Sequence, residues 1–295
     1  MYMLAPVAGH RFTGREEVYV LDIHRLGAGL ASITSDQQLS LFDPARLGAG
    51  PITSLPTAHG NIKALRPFDR SASTVCTGGD DGTFANHQSS IALWDVRGAS
   101  PAPRARYAEV HSDDVTELCF HPAEAPGILL SGSTDGVVNV YDTRAADEDD
   151  VVVQTLNTGS VHRAAFMSAS EVYTLTHDEK LAVFNLDAGY EKGTPVADFG
   201  DVRAELACQY VANVTAKVDG SGAIIGVGSQ DRQNFQLVHL ARGSEKNSWV
   251  FDRASSVGLP GGHGEEIVRA FCFYDDEQVV FTAGEDGYIK AWRPN

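Results

Sequence analysis

The chain has 295 residues, 43% of them hydrophobic, and 39 Asp and Glu against 23 Lys and Arg, a formal net charge of −16. That acidity argues against direct nucleic-acid binding, where protein cations must replace condensed counterions. No apolar run approaches the roughly 20 residues that a membrane span requires, and the length suits one all-β domain over residues 1–295.

In chain order, residues 1–6 contain no basic region followed by an apolar stretch, so no secretion signal is expected. Residues 2–7 read as a strand without a local partner. Apolar or alternating runs follow at 18–23, 62–65, 115–120, 161–166, 211–218 and 267–273, separated by Gly, Asp and Pro. Runs of that length predict short strands, and no sustained helical period appears.

After each run comes a small-residue strand and a turn with a recurring spacing. In Ser32…Asp36…Phe42 a hydroxyl residue precedes an Asp by four positions and an aromatic follows it by six. The same spacing holds in Ser131…Asp135…Tyr141, Thr174…Asp178…Phe184 and Thr282…Asp286…Trp292. Thr77…Asp81 keeps the first interval, after which residues 83–90 lengthen the loop before Trp94. The unit at 223–240 keeps the strands but loses the aromatic ending. Further strands are expected at 52–56, 105–110, 151–156, 195–199 and 249–253. The last unit has none, so residues 2–7 are expected to supply its outer strand, closing a ring and removing exposed edges. Cys76, Cys119, Cys208 and Cys272 form no Cys-x-x-Cys pair and read as free thiols of a reducing compartment.

These residues resemble the WD40 repeat over nearly the whole chain, which implies a closed all-β propeller. Six blades are counted, with seven left open. The resemblance implies blade sets His111, Ser131, Asp135, Tyr141 and His263, Thr282, Asp286, Trp292, with a less regular set at His59, Thr77, Asp81 and Trp94. In each, a loop histidine is expected to bond the turn aspartate and satisfy the blade's buried polar atoms. Recurrence favours this structural role over a hydrolase triad, and no Gly-x-Ser-x-Gly turn is present. The histidines are dispersed without ligand spacing, so neither metal nor cofactor is expected. Within the class, His111-Ser-Asp-Asp-Val115, Phe120-His121-Pro122, Thr176-His-Asp-Glu179, Asp201-Val-Arg203 and Val268-Arg-Ala-Phe271 are similar to the WD repeat-containing protein 89 family. The resemblance implies one further unit near the N-terminus, where residues 44–58 are too short for a blade, and a basic tail absent here. The resemblance implies an interaction protein without enzymatic activity.

Propeller geometry assigns loops entering blades and turns between second and third strands to one face. By that mapping the face collects Asp80, Asp113, Asp114, Asp178, Glu179, Asp201, Glu205, Glu265, Glu266 and Glu285, against Lys180, Arg203 and Arg232. A concave acidic mouth is expected to attract basic or extended segments of partner proteins. The acidic run at 147–150 falls on the opposite face. The leading expectation is a non-enzymatic binding platform, monomeric by itself, intracellular in nucleus and/or cytoplasm and not secreted. One alternative is a substrate receptor of a cullin–RING ubiquitin ligase, because Trp94-Asp-Val-Arg97 and Tyr141-Asp-Thr-Arg144 resemble the WDxR docking ending. A second is a WD-repeat methylesterase, for which no residue matches a nucleophile site.

Overall fold

The computed structural model describes residues 2–13, 17–27, 29–57, 61–67, 75–80, 91–95, 102–107, 110–122, 127–145, 147–217, 220–244 and 248–294. They fold into β1 (Tyr2–Arg11) followed by antiparallel meanders. The first holds β2 (Val20–Leu26), β3 (Gly29–Thr34), β4 (Gln38–Phe42) and β5 (Thr53–Pro56). Two separate hairpins follow, β6 (Asn61–Pro67) with β7 (Val75–Asp80) and β8 (Ile91–Asp95) with β9 (Ala102–Tyr107). Next come β10 (Val115–Phe120), β11 (Ile128–Ser133), β12 (Val137–Asp142) and β13 (Val152–Asn157). The fourth group is β14 (Val161–Phe166), β15 (Glu171–Thr176), β16 (Lys180–Asn185) and β17 (Pro195–Asp201). The chain ends with β18 (Tyr210–Ala216), β19 (Gly222–Ser229), β20 (Asn234–Arg242), β21 (Trp249–Pro260), β22 (Val268–Tyr274), β23 (Val279–Gly284) and β24 (Tyr288–Pro294). Helical segments among the described residues are short, the longest being the six residues Pro44–Ala49.

Each meander is a blade, and the apolar cores lie between blades. Leu181 and Val183 of β16 pack with Val214, Ile225 and Val238 of the next blade. Leu237 and Phe235 meet Phe271 and Trp292. Ala270, Tyr274 and Phe281 of the last blade pack on Val20, Leu30 and Phe42 of the first. Tyr274 donates its hydroxyl hydrogen to the Gly29 carbonyl across that junction. A strand buried on both faces by neighbouring blades explains why the second strands read as continuous apolar and small residues.

Among the described residues, β2, β6, β10, β14, β18 and β22 each carry a register irregularity near their start. It falls between Val20 and Asp22, Ile62 and Ala64, Val115 and Glu117, Val161 and Arg163, Val211 and Asn213, and Val268 and Ala270. One extra residue on one strand raises the local twist, and repetition at one position gives every blade the same twist where its loop enters.

β1 closes the last blade, as expected. It pairs antiparallel with β24 from Leu4 to Arg11 and also parallel with β21 at Tyr2 and Met3. Two neighbouring blades thereby share one eight-stranded sheet. Leu4 is buried between them with Leu259 and Trp292.

Candidate interaction face

Two polar relays brace one edge of the propeller. His111 lies just before β10, and its Nδ1 donates to the Asp135 carboxylate over 2.9 Å, since a carboxylate only accepts. Its Nε2 therefore accepts from Ser131 Oγ at 2.6 Å, and the Tyr141 hydroxyl donates to the same Oγ at 2.6 Å. In the last blade His263 Nδ1 stands 2.6 Å from Asp286, its Nε2 is 2.8 Å from Thr282 Oγ1, and Trp292 Nε1 donates to that oxygen at 2.9 Å. The tyrosine relay thus follows the same path as the indole one, and Tyr141 additionally stacks on Tyr107 with centroids 5.7 Å apart. Burial pushes the Asp135 carboxyl upward, but the N–H groups of Ser112, His111 and Val137 more than offset this and hold it below the usual range. Asp286 behaves likewise through His263 and Tyr288. Ser131 and Thr282 are both fully buried and capped by their aromatic donors, so neither hydroxyl points at solvent as a nucleophile.

The other units that share the spacing lack a complete relay. Ser32 Oγ is buried without a partner, Phe42 has no donor, and Asp36 accepts from Thr34 instead. In the β14–β17 blade Phe184 likewise offers no donor, and His177 is exposed against Ser160. His59, Asp81 and Arg97 lie outside the described residues, as do the side chains of Thr77, Asp80 and Trp94.

The relay histidines anchor the loops that carry the acidic pairs. Asp113 and Asp114 follow His111, Glu265 and Glu266 follow His263, and all four are exposed. Their backbone is tied to the neighbouring turns. Thr134 N–H donates to the Asp114 carbonyl at 2.9 Å, and Gln230 Nε2 donates to the Glu265 carbonyl at 2.8 Å. Asp178 and Glu205 are exposed on the same edge of the β14–β17 blade and the segment after it.

Three of the expected face residues differ in state. Glu179 is a correction: it is only 8% exposed, because its carboxylate turns inward to accept the Val211 N–H at 3.2 Å. Burial pushes its carboxyl up to about 7. Asp201 is clamped by Arg203 through both oxygens, which holds it down at about 2, so Arg203 is not a free cation. Glu285 is paired with Arg269. One carboxylate was missed. Glu17 is exposed and accepts from the Tyr19 hydroxyl at 3.3 Å. The charge of Glu17, then its hydrogen bond, raises the Tyr19 hydroxyl, with smaller contributions from Glu285 and Glu266 that bring it into their group. The signal was present as Glu17-Val18, which repeats Asp114-Val115 and Glu266-Ile267.

On the opposite edge, Arg144 is turned back on Asp142, with Nε and Nη2 each 2.7 Å from a carboxylate oxygen. Its stem lies over Gly127, where an added Cβ would meet Arg144 Cγ and Cδ at 2.9 Å. The side chain is nevertheless 70% exposed. No helix is long and apolar enough to cross a membrane, and no three His, Cys, Asp or Glu side chains converge on a metal position, among the described residues.

The family model described as WD domain, G-beta repeat matches residues 105–142 and 255–293, the two stretches that contain the relays. The chain is 28% identical to an uncharacterized WD repeat-containing protein of Schizosaccharomyces pombe, over 99% of this chain and 100% of that one. It is 35% identical over 193 residues to the WD repeat-containing protein 89 homolog of Dictyostelium discoideum, covering 63% of this chain. It spans 50% of that protein's length, and likewise 50% of an uncharacterized WD repeat-containing protein of Saccharomyces cerevisiae that is 34% identical. A chain in the crystal structure of a mitotic checkpoint complex has the same fold, with a TM-score of 0.57 over 95% of this chain at 18% identity. Relays, blade packing and these similarities agree: the chain is a WD40-repeat β-propeller, and its relatives are WD repeat-containing proteins.

Proposed function

We propose that this protein is a non-enzymatic platform whose acidic face binds basic or extended segments of partner proteins. Proteins built of WD40 repeats are generally scaffolds for protein interactions. The observation that carries the reading is the placement of Asp113-Asp114 and Glu265-Glu266. Both pairs are exposed, and both begin two residues after a buried histidine bonded to the turn aspartate. Rigid presentation lowers the ordering cost of binding, and a field of one sign speeds encounter with a segment of the other. Glu17, Asp178 and Glu205 extend the field, while Asp201 and Glu285 are largely neutralised by arginines. We infer a protein that is monomeric by itself and works inside the cell, in nucleus or cytoplasm.

The exposure of Arg144 favours a second reading, docking on a ubiquitin-ligase adaptor. Such docking would have to replace the two bonds to Asp142. Affinity purification with mass spectrometry separates the readings. The platform predicts strongly basic partners that are lost from the chain carrying Asp113→Lys, Asp114→Lys, Glu265→Lys and Glu266→Lys and retained by Arg144→Ala. An unchanged partner spectrum in the reversal variant would overturn it, and an adaptor lost only on Arg144→Ala would support the second reading.

A further inference from the structure

Glu179 sits in the tight turn between β15 and β16, at the place taken by Gly136 and Gly287 in the two relay blades. Its φ is +60°, where those glycines have +90° and +73°. This left-handed region is unfavourable for a side chain with a Cβ. Gln37 and Gln233 occupy the same place in other turns at +69° and +48°, yet neither is buried. Glu179 combines the backbone penalty with a buried carboxyl.

Glu179 holds the segment leading to the next blade at both ends, the near end through its backbone carbonyl and the far end through its carboxyl. Its Oε2 accepts the Val211 N–H at 3.2 Å, and the Glu179 carbonyl accepts the Val202 N–H at 3.0 Å. Between them runs the helical turn Arg203–Leu206, seated by the buried Leu206. The charged and titratable neighbours are Asp178 and Lys180 on the same turn, Asp201, Arg203 and Glu205 on the segment, and Cys208 and Tyr210 at its end. The nearest guanidinium, Arg203, is spent on Asp201 through Nε and Nη2. An ionised Glu179 therefore has one N–H for a partner, too little to offset the loss of water around a charge.

We propose that Glu179 is a proton-operated latch between adjacent blades. Protonated, its carboxyl holds the far end of the segment at Val211; on losing its proton to solvent, the carboxylate leaves its buried position and frees that end, while the backbone bond to Val202 stays. Burial brings the carboxyl to about 7, so the release falls in the neutral range. The latch stands whether or not the acidic face binds a partner, and it changes the backbone that carries Glu205.

Hydrogen–deuterium exchange by mass spectrometry on the full chain tests it, with rates normalised to intrinsic chemical exchange. Between about pH 6 and about pH 8.5, protection over 202–211, including the Val211 amide, is expected to fall roughly tenfold. Glu179→Gln, uncharged at both values, is expected to stay protected throughout. Glu179→Gly, which suits the turn, is expected to be unprotected throughout. Wild-type protection that does not change with pH, or an equal loss in Glu179→Gln, overturns the latch. The wild-type series decides the matter even where a variant fails to fold.

Discussion

His263 Nδ1 lies 2.6 Å from the Asp286 carboxylate, and the histidine side chain is wholly sealed from water. The bond is the hinge of the last blade, because its other side leads through Thr282 to Trp292 in the core. His263→Ala would take one donor from a largely buried carboxylate, which keeps Lys290 and the Tyr288 N–H, and would leave the buried Thr282 hydroxyl hydrogen without its acceptor. A loss of about 2 kcal/mol in urea unfolding is expected, from the two lost bonds and the emptied histidine site. The double variant His263→Ala/Asp286→Ala should lose less than the sum of the two single variants.

The serines of the first and third units should respond in opposite ways. Ser131 Oγ joins His111 to Tyr141, whereas Ser32 Oγ is buried with no partner. Ser131→Ala is expected to cost roughly 1–3 kcal/mol, and Ser32→Ala to be neutral or mildly stabilising. Melting temperatures of the two variants, measured side by side, check the contrast.

Tyr141→Phe removes the donor to Ser131 while keeping the stack on Tyr107. The expected cost is about 1 kcal/mol. Because Phe42 already fills the corresponding place in the first blade, the variant should still fold to the same structure, as near-identical far-ultraviolet circular dichroism would show.

Glu179 makes stability fall across neutral pH. Burial raises its carboxyl to about 7 in the folded chain, so the folded state binds the proton more tightly than the unfolded one. Its stabilising contribution is complete below the unfolded value of about 4.3 and is lost as pH rises through the folded value. Unfolding free energy relative to Glu179→Gln is therefore expected to drop by roughly 3 kcal/mol between about pH 4 and about pH 8.5. A constant difference between the two chains across that range would contradict it.

Much of the fold was legible because blade packing imposes local chemistry. The hydroxyl–aspartate–aromatic spacing marked the turns, and the strands that the apolar runs predicted at 115–120 and 161–166 match β10 and β14. The unpartnered strand at the N-terminus was correctly joined to the last blade, although it runs on to Arg11 and also reaches β21. That second pairing left no sign, since parallel contact at Tyr2 and Met3 has no turn of its own. β21 was expected to stop at 253 and extends to Pro260. Its pairing with β20 shifts between Leu237 and His239, and Asp252 caps Ala254 and Ser255 across the irregularity.

The face was less legible than the blades, because a carboxylate's position in sequence does not reveal its partner. Asp178-Glu179 reads as an acidic pair, but the second carboxyl turns inward to accept the Val211 N–H while Asp178 stays out. Asp201-Val-Arg203 and Asp142-Thr-Arg144 form the same clamp, which two-residue spacing on a turn allows and charge counting overlooks.

If the face carrying Asp113, Asp114, Glu265 and Glu266 binds basic segments, a short basic peptide suffices as a ligand. A fluorescently labelled Lys/Arg-rich peptide is titrated by anisotropy against the full chain at rising salt. The same titration is run on the four-residue charge reversal at that face and on a reversal of Asp147, Asp149 and Asp150 on the opposite one. Affinity is expected to weaken with salt, to fall at least about tenfold in the first variant and to be unchanged in the second. Equal loss in both variants, or in neither, would contradict it.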